Sequence, residues 1–360
     1  MRFPEFKEGW EVKKLGEICE MRAGKFIVAS EIYDKPNDSL FPCFGGNGLR
    51  GYTKSFNKEG TYSLIGRQGA LCGNVTLANG KFYATEHAVI VEPNENADTI
   101  WMFYLLTYLN LNQYATGMAQ PGLSVQNLEK IEIVFPKSKK EQQKTASFLS
   151  KIDERIRTQN KIINDLRTLK SATAKMIFSQ ELRFKDDNGN DFSEWVDKKL
   201  GDISIKKSSN ISANTLEENQ GNFKIYGANG LLKEIDFYRE EKPYIAIVKD
   251  GAGVGRLLLC EGKSSVLGTL DIIKNKEQTD LLFLYYLLET IDFTKFTTGS
   301  TIPHIYFKDY SKEIIGLPSF PEQTKIANFL SSIDSKIDIE NQLLQKLEEQ
   351  KKYLLQNMFV

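Results

Sequence analysis

The chain has 360 residues, and its 47 Lys and Arg balance its 47 Asp and Glu, so the formal net charge is zero. That excludes a surface coated throughout with phosphate-binding charge, though not local patches. With 41% hydrophobic and 26% charged residues the chain reads as an ordinary globular protein, neither disordered nor fibrous. The longest apolar run, around Trp101–Leu106, is far too short to span a bilayer, and residues 1–20 lack the apolar core of a secretory signal. The four cysteines (Cys19, Cys43, Cys72, Cys260) are scattered and form no C-x-x-C pair, and there are only two histidines, His87 and His304. A His- or Cys-rich metal site is not expected, and a reducing, cytoplasmic setting is.

Along the chain, Trp10-Glu-Val-Lys-Lys-Leu-Gly16 opens a stretch rich in glycine, aromatics and short β-type runs. Thr61–Gly66, Ala88–Glu92 and Ile131–Phe135 read as strands, with one helix over Thr99–Leu109. From 139 to 180 glycine and proline vanish and apolar residues recur at helical spacing, giving a helix of about 38 residues, roughly 57 Å long. The pattern then returns. Trp195-Val-Asp-Lys-Lys-Leu-Gly201 lies 185 positions after its copy. Tyr226-Gly-Ala-Asn-Gly-Leu231 lies 182 after Phe44-Gly-Gly-Asn-Gly-Leu49, and Gly251-Ala-Gly-Val-Gly255 lies 182 after Gly69-Ala-Leu-Cys-Gly73. Strands are expected at Tyr244–Val248 and Leu270–Ile273, a helix over Leu281–Thr290, and a second long helix over 321–358. Glu322-Gln-Thr-Lys-Ile-Ala-Asn-Phe-Leu-Ser331 repeats Glu141-Gln-Gln-Lys-Thr-Ala-Ser-Phe-Leu-Ser150 at an offset of 181. Blocks in the same order at nearly constant offset mark a tandem duplication. The expected fold is α+β: two similar modules, 1–138 and 181–320, separated by two long helices, 139–180 and 321–360.

On the first helix, Leu149, Ile152, Ile156, Gln159, Ile163, Leu166, Lys170, Thr173 and Ile177 form a seam at three-four spacing, and the positions 181 later form its copy. Two amphipathic helices packed on their own modules are the alternative to a coiled coil. An antiparallel pair would place two readers at fixed separation, which suits a duplex whose surface recurs every turn of about 34 Å. Burying an ammonium without a partner is costly, so the polar seam positions select the register whose facing residue numbers add to 510. That register sets Gln159 against Lys351 and Lys170 against Glu340.

Catalytic motifs are not found. No Pro-Pro pair exists to build an amino-methyltransferase motif, and Gly262-Lys263-Ser264 lacks the earlier glycine of a P-loop. The charged group at Asp236 and Glu240–Lys242 has no counterpart in the first half and reads as a charge run on the surface. Cys43-Phe-Gly-Gly-Asn-Gly48 reads as a turn rather than a cofactor loop, because the copy at Tyr226 shares it. Between Phe44 and Phe82 five basic residues face one acid, Glu59, whereas Tyr226–Val266 balances six against six. Groups able to read bases or hold phosphates occur on the glycine loops, namely Asn47, Arg50, Arg67 and Gln68, with Asn229, Lys249, Asp250 and Arg256 in the copy. The loop before each last strand adds Gln120 in the first half and Ser300, Thr301 and His304 in the second. It differs between copies, as expected if the halves read different sequences. Arg67 and Lys249 occupy matching positions and are the foremost candidates.

The layout of module, long helix, module, long helix resembles the specificity (S) subunits of Type I restriction-modification systems. So do the Trp-x-x-x-x-Leu-Gly openings, the Tyr-Gly-x-Asn-Gly loop and the Glu-Gln blocks that follow a proline after each module, strongest over Phe320–Ile337, with Thr145 departing where the second copy has Ile326. The resemblance covers essentially the whole chain. It implies two target recognition domains reading the halves of a bipartite double-stranded DNA site, with spacer helices that dock two adenine-N6 methyltransferase subunits. Motor-nuclease subunits would join for cleavage. S-adenosylmethionine, ATP and Mg would then belong to the partners, this chain needing no cofactor, metal or membrane and being no enzyme itself. A duplicated protein–protein adaptor that does not touch DNA is the competing expectation.

Overall fold

The computed structural model describes residues 1–69, 71–117, 121–299 and 301–359. Two compact units emerge: 1–160 with 342–360, and 161–341. Each holds one module and one stretch of each long helix.

In the first unit, β1 (Trp10–Lys14) is followed by α1 (Leu15–Ile18), β2 (Cys19–Ala23), β3 (Phe41–Gly45), β4 (Gly48–Thr53), β5 (Lys58–Gly66), β6 (Val75–Ala84) and β7 (Ala88–Pro93). Then come α2 (Thr99–Tyr108), α3 (Val125–Glu129), β8 (Glu132–Pro136) and α4 (Lys139–Phe178), which runs on into the second unit. Six strands make one sheet in the order β2-β7-β5-β6-β3-β4; β1 and β8 pair separately. Alternation along β5 and β7 sends Ile65, Val89 and Val91 to one core, beneath Trp101, Met102 and Leu105 of α2, and Leu64 and Ile90 to a smaller one around Phe82. Asp98 caps α2 by accepting hydrogen bonds from the backbone N–H groups of Ile100 and Trp101.

The second module repeats this frame: β9 (Val196–Lys199), α5 (Leu200–Ile203), β10 (Ser204–Ser208), β11 (Phe223–Gly227), β12 (Gly230–Ile235) and β13 (Tyr244–Val248). It continues through β14 (Leu257–Cys260), β15 (Ser265–Val266), β16 (Leu270–Asn275), α6 (Leu281–Glu289), α7 (Phe307–Tyr310), β17 (Ile314–Leu317) and α8 (Phe320–Met358). Here the large sheet is divided, into β10-β16-β13-β14 and β12-β11-β15. Two residues explain the break. Pro243 stands where β5 has Thr61 and supplies no N–H to extend the ladder. Lys263, with φ 52°, turns the chain between β14 and β15, where β6 runs on without interruption.

All the seam positions on both long helices are buried or half-buried. Leu149 and Ile152 share a core with Leu354 and Met358, and Ala174 and Ile177 share one with Ile326, Ala327 and Leu330. Within each unit the two stretches therefore run antiparallel. The conserved-looking Glu-Gln pair at each helix start is a joint. Glu141 is buried and receives two hydrogen bonds from the Arg2 guanidinium, at 2.6 and 2.9 Å, and one from Trp10 Nε1 at 3.1 Å. Gln142 accepts from the Asp98 N–H and donates to the carbonyls of Pro136 and Asn96. The copy keeps all but the indole bond: Glu322 binds Arg183, and Gln323 ties Asp280 to Pro318 and Gln278, while Trp195 Nε1 finds no partner among the described residues.

Candidate nucleic-acid interface

The glycine motif of each module is a hairpin tip. β3 and β4 close at Gly45 and Gly48, and β11 and β12 at Gly227 and Gly230, as Asn-Gly flanked by strands favours. In the first module the tip is drawn onto the sheet. A Cβ on Gly66 would lie 1.9 Å from the carbonyl oxygen of Gly46, so only glycine permits this approach. The result is a cleft of about 620 Å³ lined by Asn47, Arg50, Gln68, Leu71 and His87 among others. It gathers three of the sequence-derived candidates, and their side chains at 47, 50 and 68 are exposed. Arg67 is held at the margin through its backbone, its N–H donating to His87 O and its carbonyl accepting from Leu123. Gln120 lies outside the described residues.

The second module arranges the same positions differently. Val248 occupies the place of Gly66, so the tip cannot settle on the sheet in that way. Instead Arg256 Nη1 donates to Ala228 O at 2.9 Å and to Asn229 Oδ1 at 2.8 Å, clasping the tip to the glycine loop. Lys249 is bound to the buried Asp271 carboxylate at 3.3 Å, and Ser208 donates to that carboxylate at 2.9 Å. Lys249 and Asp250 line a second cleft of about 580 Å³ with Lys206, Tyr306 and Lys308. Thr301 is exposed and His304 half-buried beside it; Ser300 lies outside the described residues. Sequence reasoning passed over His87, Lys206, Tyr306 and Lys308, because nothing in local spacing marks them and only the tertiary fold brings them to the clefts.

The expected helix register needs correction. Lys170 does not take Glu340 as its partner: its ammonium binds Asp334 at 2.8 Å and Glu289 of α6 at 3.0 Å, and lies 4.8 Å over the Tyr286 ring. Lys351 binds Asp153 at 2.6 Å. Asp334 precedes Glu340 by six residues, about 9 Å along a helix. The seam count failed because the carboxylates stand one place off the seam, beside Ile152 and Ile333, and because α6 adds a third. Tyr104 and Tyr286 donate to Asp153 and Asp334 at 2.7 Å each, so both aspartates are also pinned by a module helix.

Among the described residues no group of three His, Cys, Asp or Glu could hold a metal ion. Burial pushes the Cys19 and Cys260 thiols up to about 12, which keeps them protonated and poor nucleophiles. No described helix is long and apolar enough to cross a membrane.

A duplicated α+β frame, two polar clefts and a pair of long helices define a class of two-module chains, and comparison identifies it. The family described as Type I restriction modification DNA specificity domain matches residues 7–168 and 192–349, and the chain belongs to that family, whose members are the non-catalytic specificity subunits. The chain is 44% identical over 176 residues to an Escherichia coli Type I restriction enzyme specificity subunit; the match covers 49% of this chain and 43% of that one. A putative Type I specificity subunit of Mycoplasma genitalium is 24% identical over 97% of this chain and 94% of its own. The fold is similar to the crystal structure of a Type I restriction-modification S subunit from M. genitalium, with a TM-score of 0.68 and 20% identity over 100% of this chain and 99% of that one.

Proposed function

We propose that residues 1–138 and 181–320 are target recognition domains, each reading one half of a bipartite duplex DNA site. The helices 139–180 and 321–360 set the spacing between the halves and dock two methyltransferase subunits for adenine-N6 methylation. Motor-nuclease subunits join them for cleavage of unmethylated DNA, and the cofactors S-adenosylmethionine, ATP and Mg belong to these partners. The setting is the cytoplasm, where such DNA is met.

One observation carries this reading: the two modules share a backbone frame and the same Arg–Glu joint to the helices, yet their clefts are lined by different polar residues. A frame kept constant while its groove-facing groups change suits two readers of two sequences. Of the groups expected to contact bases and phosphates, Asn47, Arg50 and Gln68 line the first cleft and Lys249 and Asp250 the second, with Arg67 and His304 adjoining those residues in sequence or strand pairing.

The test is methylome sequencing of a host carrying only this chain and its methyltransferase. A two-part adenine-methylated motif is expected. Exchange of residues 10–136 for another recognition module should replace one half of that motif and leave the other. Alteration of both halves would end the modular reading, and absence of any sequence-specific, salt-sensitive DNA retention would favour the adaptor instead.

A further inference from the structure

We infer that the second module reads its half-site with His304, Tyr306 and Lys308, a different element from the one the first module uses. This rests on the DNA-reading function proposed above. Tyr306 is 46% exposed, with its ring open to a ligand. It is nonetheless fixed. Its hydroxyl pairs with His304 Nε2 at 2.9 Å, and the two rings stand 4.9 Å apart, edge to face. The Lys308 ammonium lies 5.1 Å over its ring. An exposed aromatic held by two flanking groups loses little conformational freedom when it meets a base, and the imidazole and ammonium beside it supply donors for base edges and phosphates.

The groups that the glycine loops would otherwise offer are already engaged here. Arg256 and Asn229 bind each other, and Lys249 is bound to Asp271. In the first module the matching positions are Gly122, Ser124 and Gln126, which carry neither ring nor charge, while Arg50, Gln68 and His87 line the open cleft. At those three cleft positions the second module has Leu232, Asp250 and Thr269. Arg50, Gln68 and His87 in the first module and His304, Tyr306 and Lys308 in the second therefore lie on different elements.

The experiment uses the full chain with its methyltransferase subunits in cells, read by methylome sequencing. The triple variant H304G/Y306S/K308Q installs the first module's residues. It should relax or change one half of the motif, lowering discrimination at one or more base positions about five- to a hundredfold, and leave the other half intact. If the triple variant methylates nothing, Tyr306→Phe and Lys308→Gln are read singly. These exposed side chains can be changed without opening the core, and relaxed discrimination in the same half supports the inference. An unchanged motif in the triple variant, or in both single variants, overturns it while leaving the two-reader function standing. Absence of any sequence-specific motif with the unaltered chain overturns that function itself.

Discussion

The two modules differ at the glycine hairpin tip although its sequence recurs nearly unchanged. Both carry the Gly-x-Asn-Gly tip, and in both it closes a hairpin. In the first it rests on the sheet because Gly66 leaves room for the Gly46 carbonyl; in the second Val248 takes that room and Arg256 clasps the tip from outside. The joint to the long helices shows the opposite behaviour. Arg2 with Glu141 and Arg183 with Glu322 keep the same bidentate geometry, as do the Gln142 and Gln323 staples. The comparison teaches that one copy of a duplicated motif is an unreliable guide to the other's surface, whereas buried polar joints are held because an unsatisfied buried carboxylate or amide costs so much.

The largest effect should come from breaking the first module's tip. Gly66→Val imports the second module's residue without its clasp, and places a side chain where a backbone oxygen already lies. We expect a loss of about 3 kcal/mol of stability, from forced displacement of the hairpin. Chemical denaturation would measure it. A variant as stable as the parent would mean that the tip does not depend on this contact.

A smaller effect separates the two lysines of the helix pairs. Lys170 has two carboxylates and the Tyr286 ring around it, and its side chain is 15% exposed; Lys351 has Asp153 and is 26% exposed. The difference arises from Glu289, where the first module has Thr107. Lys170→Met leaves two carboxylates facing each other and should cost about 2 kcal/mol, against about 1 kcal/mol for Lys351→Met. Equal losses, or the reverse order, would remove Glu289 from the account.

Much of this architecture was legible in the sequence. The duplication was visible by inspection, and the strands at Tyr244–Val248 and Ala88–Pro93 and both module helices fell close to where the sequence pattern places them. The long helices followed from the absence of glycine and proline together with the three-four apolar spacing. The partners of charged groups were not legible, because they come from elements distant in sequence. Glu289 reaches Lys170 across the fold, and Asp271 reaches Lys249 from a neighbouring strand. One signal was available and unused. Arg2-Phe3 recurs as Arg183-Phe184 at the helix-block offset of 181, upstream of each Trp-x-x-x-x-Leu-Gly opening.

The smallest effect concerns one ion pair whose signs are exchanged between the modules. Lys58 binds Glu92 on the first sheet; at the matching positions the second has Glu240 bound to Lys274, with Lys207 added at 2.5 Å. The first pair is half-exposed, whereas Glu240 is buried. Burial pushes the Glu240 carboxyl up, but the Lys207 and Lys274 ammoniums outweigh it and hold it below the usual carboxylate range. A carboxylate with a depressed folded pKa stabilises the protein above its unfolded value, about 4.3, and that contribution disappears as pH falls through the folded value. Glu240→Gln should therefore be less stable than the parent at pH 7, with the gap closing between about pH 4 and the onset of acid unfolding. Hydrogen exchange along β10, β13 and β16, followed from pH 7 downward, would report it. Glu92→Gln, which loses an exposed pair worth at most about 1 kcal/mol, is the control. A Glu240→Gln gap that stays constant with pH would show that the buried carboxylate acts through packing and hydrogen bonding rather than through its charge.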